Sequence, residues 1–74
     1  MKEQDSLTRR FEAAYAACGT SVYRLAMVYL GQPADAEDVT QEVFLKLLHK
    51  APAFHDVEHE KRWLLRVTAN LCRD

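Results

Sequence analysis

The chain has 74 residues, 49% of them hydrophobic and 28% charged, with two glycines and two prolines. One domain is the only sensible count, and the composition excludes both a disordered chain and a loop-rich all-β one. Formal net charge is −1, which by itself advertises no nucleic-acid partner. No apolar run approaches the ~20 residues of a membrane span, and "MKEQDSLTRR" lacks the apolar core of a signal peptide, so a cytoplasmic location is expected.

From Leu7 to Leu30 the spacing is helical. Phe11, Tyr15, Cys18, Val22, Leu25 and Tyr29 follow alternating steps of four and three and make one apolar stripe. Gly19-Thr20-Ser21 lies in the middle, and its residue types predict a break, with Thr20 as a cap. Gly31 is the expected C-cap of this unit, and Pro33 follows where a helix does not easily continue.

The next helix is expected to start with Asp35 as N-cap and to run to about Lys50. Its early carboxylates, Asp35, Glu37, Asp38 and Glu42, suit the positive end of the helix dipole. Ala51-Pro52 stops it. "APAFHDVEH" then reads as a loop of roughly nine residues, longer than the common ~4–6, and long loops carry function more often than short ones. Asp56 is a candidate cap for the last helix. The expected fold is all-α, a compact bundle of three to four helices over about residues 6–18, 20–30, 35–50 and 57–74. "ANLCRD" has no Gly, Pro or polar tail, which reads as a helix continuing into a longer protein. Cys18 and Cys72 form no CxxC pair and are expected to be small apolar packing residues.

Two of these helices carry two faces each. At about 100° per residue, Ala36, Val39, Val43, Phe44, Leu47 and Leu48 gather on one side of the third helix. Asp38, Gln41, Glu42, Leu45 and His49 gather on the other. That second side is either a solvated face with one stray leucine, or an apolar anchor ringed by acidic and hydrogen-bonding groups for a basic partner. On the last helix Trp63, Leu64, Leu65, Val67, Leu71 and Cys72 form the apolar arc. Arg62, Arg66 and Arg73 line the opposite side, with Asn70 and His59 along its edge. Three arginines on one stripe are either solubilising charge or nucleic-acid equipment. In the second case arginines meet phosphates, the amide reads a base edge, and the loop aromatic Phe54 stacks an unpaired base. The charge distribution fits both. Residues 32–56 carry two basic and five acidic groups, whereas residues 57–74 carry four basic and three acidic.

Metal binding and catalysis find no support. His55 and His59 are four apart with His49 nearby, but no cysteine or carboxylate completes a tetrahedral set. No Gly-rich phosphate loop is present, and Ser21 has no evident base. No catalytic residue, metal or cofactor is expected.

"YRLAMVYLGQPADAEDVTQEVFLKLL", an aromatic loop and then "WLLRVTANLCRD" resemble the second conserved region of bacterial sigma factors, most of all the extracytoplasmic-function (ECF) group. The resemblance spans about residues 8–74. It implies a helical domain of a transcription initiation factor with no enzymatic activity. It further implies that the helix matching Asp35–Lys50 docks on the β′ clamp helices of RNA polymerase through Asp38, Gln41 and Glu42, a contact that Leu45 as apolar anchor and His49 on the same face would join. The loop and last helix would recognise the non-template strand of the promoter −10 element through Phe54, His59, Arg62, Arg66, Asn70 and Arg73, with Asn70 and Phe54 at the positions that hold an extruded base. Trp63 matches the first of two aromatics that wedge open DNA in housekeeping sigma factors. Leu64 replaces the second, so Trp63 is expected to pack in the core. The whole chain reads as one region-2 domain without the partner domain that reads the −35 element. An anti-sigma protein would cover the same two faces. The alternatives are a helical protein-interaction module without DNA contact, and a helix-turn-helix binder of duplex DNA. The long loop counts against the second, because a helix-turn-helix needs a turn of about three or four residues.

Overall fold

A computed structural model describes the backbone of residues 2–50 and 52–73, and the side chains from Thr8 onward within those limits. Ala51 and Asp74, expected at the stop of the third helix and the end of the last, lie outside the described residues, as does the side chain of Leu7.

Among the described residues there are three helices: α1 (Lys2–Leu30), α2 (Pro33–Lys50) and α3 (Val57–Arg73). The expected break at Gly19-Thr20-Ser21 does not occur, and α1 runs through it as one helix of 29 residues. Tertiary packing overrides propensity here. Gly19 is buried, and a Cβ built on it would come within 3.2 Å of the Tyr15 ring. The glycine therefore lets Tyr15 lie along the helix surface.

Residue chemistry accounts for both connections. Gly31 takes φ 72°, and its N–H donates to the Met27 carbonyl at 2.8 Å, which closes α1 with a left-handed cap. Helix α2 starts two residues earlier than expected. The Gln32 carbonyl accepts the first bond, from Ala36 N–H at 2.9 Å, so Gln32 is the N-cap and Pro33 the first helical residue. Proline suits that position because its missing N–H would be unpaired there anyway. Asp35 therefore stands inside the first turn, where its charge still meets the helix dipole. The described part of the α2–α3 connection is residues 52–56, shorter than expected because Val57, Glu58 and His59 are already helical.

Helix α1 packs against both others, and α2 and α3 touch each other less. Its buried line is Ala14, Cys18, Val22 and Ala26, mostly small residues at steps of four. From α2 come Ala36, Val43, Phe44 and Leu47, and from α3 Leu64. Tyr15 and Tyr29, expected in the stripe, are instead 47% and 45% exposed. The seam line admits only small side chains where helices approach closely, so the larger rings are displaced to its edge. Phe11 and Tyr15 pack on Phe44 from there, with centroids 5.9 and 5.0 Å away.

Two buried polar residues belong to this core. Thr40 and Thr68 each donate a hydroxyl to the carbonyl four residues back, Ala36 and Leu64, at 2.7 Å. That bond removes the cost of burying the hydroxyl. Cys18 is buried and Cys72 half-buried, both as free thiols. Burial pushes the Cys18 thiol up from its ordinary value, Glu60 and Glu58 push the same way, and Lys61 opposes them. Burial alone raises Cys72. Both thiols are thereby held away from the reactive thiolate.

Phe44 has no exposed surface. Phe44→Ala is expected to destabilise the fold by about 3–5 kcal/mol, measured by urea unfolding, with Phe44→Leu closer to wild type. A loss below about 1 kcal/mol for Phe44→Ala would contradict this packing.

Candidate functional site

The outer face of α2 follows from burial of the inner one. With Val43, Phe44 and Leu47 turned inward, Asp38, Gln41, Glu42, Leu45 and His49 are all exposed. The structure brings these five predicted residues onto one stripe of about three turns. Leu45 is 51% exposed in the midst of them. His49 and Lys50 end the helix, where a positive charge suits its negative pole.

This face has an edge that sequence reasoning missed. Leu45 and Gln41 of α2, with Phe11 and Tyr15 of α1, line a mainly apolar groove of about 370 Å³. A second groove follows along the same seam, lined by Tyr15, Ala16, Gly19, Thr20, Tyr23 and Glu37, with a volume of about 510 Å³. Tyr15 stands between the two, its ring nearly parallel to Phe11 at 5.9 Å. The missed signal lies in "AAYAACG". Alanines flanking a tyrosine mark a close approach, which leaves the ring at the rim.

The second candidate surface is built by α3 and the loop before it. Leu64 and Thr68, four apart, turn inward, so Arg62, Arg66, Asn70 and Arg73 turn outward and are exposed. His59, Arg62, Trp63 and Arg66 line a depression of about 300 Å³. Phe54 packs on two of these residues, with its ring against His59 at 5.2 Å and against Trp63 at 5.7 Å, both edge-on, and lines a separate depression with Arg10, Asp56, Val57 and Glu60. Trp63 is half-buried and packed on the core, so one side of the indole belongs to the interior and part of it lines the depression. Asn70 and Arg73 are joined further along the helix. The Arg73 guanidinium donates to Asn70 Oδ1 at 3.0 Å. Guanidinium has only donors, so this bond orients the amide and leaves its NH₂ free to donate outward. From His59 to Asn70 the stripe runs about 16 Å along the axis.

The loop is pinned at its end by a reciprocal cap. Asp56 Oδ1 accepts the His59 N–H at 2.8 Å, and the Asp56 carbonyl accepts from Glu60 at 3.1 Å. In return His59 Nδ1 accepts the His55 N–H at 3.1 Å. A capping box returns its second bond to the N-cap N–H, whereas here His59, in the place of the usual Glu or Gln, takes it from His55, one residue earlier. Among the described residues no group of three or more His, Cys, Asp or Glu is placed to hold a metal, and no helix is long and apolar enough to cross a membrane.

An outward acidic face with an apolar anchor, beside a basic stripe with an aromatic loop, suits a small helical module that joins a protein to a nucleic acid. Residues 14–74 match the family Sigma-70 region 2, and the chain belongs to that family. Its relatives align it with the ECF group. It is 40% identical over 62 residues to the probable ECF RNA polymerase sigma factor SigI of Mycobacterium tuberculosis, covering 84% of this chain and 21% of that protein. It is 42% identical over 53 residues to the ECF RNA polymerase sigma factor SigE of Mycolicibacterium smegmatis, covering 72% of this chain and 20% of that protein. The probable RNA polymerase sigma factor RfaY of Xanthomonas campestris is 33% identical over 58 residues, covering 78% of this chain and 14% of the relative. The chain thus spans about a fifth or less of the length of these curated relatives. No solved structure matches it.

Asp56→Ala is expected to lower stability by about 1 kcal/mol in urea unfolding, and Asp56→Asn by less, because an amide oxygen still accepts from the helix N–H. Equal losses for both would show that charge, not the cap bond, is what matters there.

Proposed function

We propose that this domain binds the β′ clamp helices of RNA polymerase through the outer face of α2 and recognises the promoter −10 element through α3 and its preceding loop. The observation that carries the reading is Leu45, half exposed between Gln41 and Glu42 at the rim of an apolar groove. A buried anchor encircled by polar groups is the anatomy of a protein interface. Asp38 and Glu42 attract basic groups on the partner, which helps rate and register more than affinity. Phe11 and Tyr15 extend the apolar ground on which a partner side chain can rest.

On the DNA side Arg62, Arg66 and Arg73 suit phosphates. The Asn70 NH₂ donates to an acceptor on an unpaired base, and Phe54 offers a ring in the loop beside His59 and Trp63. Extruding a base costs a few kcal/mol, more than this near-neutral domain supplies alone, so the polymerase contributes much of the affinity. In this reading the domain works in the bacterial cytoplasm, performs no catalysis itself, and uses no cofactor. It meets any anti-sigma partner on the same two faces.

Gln41→Ala, Glu42→Ala and Leu45→Ala are each expected to weaken binding to a β′ clamp-helix fragment by about 1 kcal/mol or more, measured by titration calorimetry. Wild-type affinity in all three would remove the docking face. Asn70→Ala is expected to reduce capture of a single-stranded −10 oligonucleotide by the polymerase complex. Arg62→Ala and Arg66→Ala are each expected to flatten the salt dependence of that capture by about one phosphate contact. An unchanged slope would take the arginines off the phosphates.

A further inference from the structure

Three consecutive loop residues converge on His59 of α3, Phe54 and His55 on its side chain and Asp56 on its backbone N–H. The His55 N–H donates to His59 Nδ1 at 3.1 Å. Asp56 accepts the His59 backbone N–H at 2.8 Å. The Phe54 ring meets the His59 ring edge-on at 5.2 Å. The His55 ring also stacks on His59, 5.3 Å apart and inclined by 21°. The bond requires an unprotonated Nδ1, so the proton of a neutral ring would sit on Nε2.

We propose that His59 is the positioning residue of the recognition loop, and that protonation of its imidazole releases the loop and Phe54 with it. The proposal rests on the reading of this loop as a promoter contact. An imidazolium has two N–H donors and no acceptor, so Nδ1–H would face the His55 N–H, donor against donor. The new charge would also stand in the first turn of α3, at the positive pole of the helix. The charged surroundings are mixed. Asp56 of the loop and Glu58 and Glu60 of α3 attract a cation. Arg62 and Arg66 share the depression with His59 and repel one. From α1, Arg10 lies across the loop beside Phe54, Asp56 and Glu60. No attraction from the carboxylates restores the missing acceptor, so the hydrogen bond is lost whatever the balance of charge.

The test uses core RNA polymerase bound to this chain and a fluorescent single-stranded −10 oligonucleotide. For each variant the quantity read is the ratio of affinity at about pH 8 to that at about pH 5.5, a span that brackets imidazole titration. Wild type is expected to lose about tenfold, the equivalent of one net hydrogen bond. His59→Gln, whose amide oxygen accepts without gaining a proton, is expected to bring the ratio close to one, and so is His59→Ala. His55→Gln is expected to keep the wild-type ratio. A wild-type ratio near one, or His59→Gln tracking wild type, overturns the proposal. So does a dependence that vanishes with His55→Gln and persists with His59→Gln. A second readout on the chain itself follows the His55 amide proton by NMR. Its shift is expected to move with the His59 ring titration, and an amide that ignores the ring overturns the cap. If the wild-type complex takes up no oligonucleotide even at pH 8, the promoter reading fails and the positioning role falls with it, while the amide titration still reports the ring–loop bond.

Discussion

Phe44 is sealed where α1 and α2 cross, with Phe11 and Tyr15 packed on its ring and Val43 and Leu47 beside it. That one contact sets the rotation of α2 about its own axis. A turn by one residue, about 100°, would bring carboxylates to buried positions, Asp35 and Glu42 in one direction and Glu37 in the other. Burying an unpaired carboxylate is costly enough to forbid the change. Everything on the outer face of α2 follows from it. Asp38, Gln41, Glu42, Leu45 and His49 point outward because Phe44 cannot.

Helix α3 obeys the same kind of constraint with weaker anchors. Leu64 and Thr68 are its fully buried positions, and the Thr68 hydroxyl is satisfied inside its own helix. Thr68 therefore asks nothing of its neighbours, and the small seam of α1 can receive it. The arginines and Asn70 are left on the far side, and Trp63 sits at the boundary between core and surface. The reciprocal cap of Asp56 and His59 then fixes where the loop hands over to the helix, which in turn sets the place of Phe54.

The two charged surfaces lie on different helices, so opposite charges do not neutralise each other along one stripe. A net charge of −1 conceals this arrangement. Fields within about a Debye length are felt locally, and at physiological salt that length is about 8 Å, shorter than the separation of distant faces on a domain of this size. An incoming partner therefore meets the acidic face or the basic one, not the average of the two.

The amino-acid sequence by itself determined the all-α class, the C-cap at Gly31, the N-cap at Asp56 and most of the inward and outward sets of α2 and α3, Thr40 and Thr68 being buried outside the expected apolar arcs. These follow from local chemistry and from 3.6-residue periodicity, which operate within a few residues of chain. It also carried "DAEDVTQEVF" and "WLLRVTAN", from which the family was legible. The tertiary structure alone decided the rest. It kept α1 unbroken at Gly19, because packing along both flanks outweighs one glycine's propensity. It moved Tyr15 from the expected core to a groove rim, because width at a helix seam depends on the residues of the partner helix. It started α2 at Pro33 and not at Asp35, because the turn from Gly31 leaves the Gln32 carbonyl in place to accept. The pairing of His59 with His55 and Phe54 also waited for the fold. A spacing of four indicates that two residues can be near, but only the path of the loop shows which atoms meet.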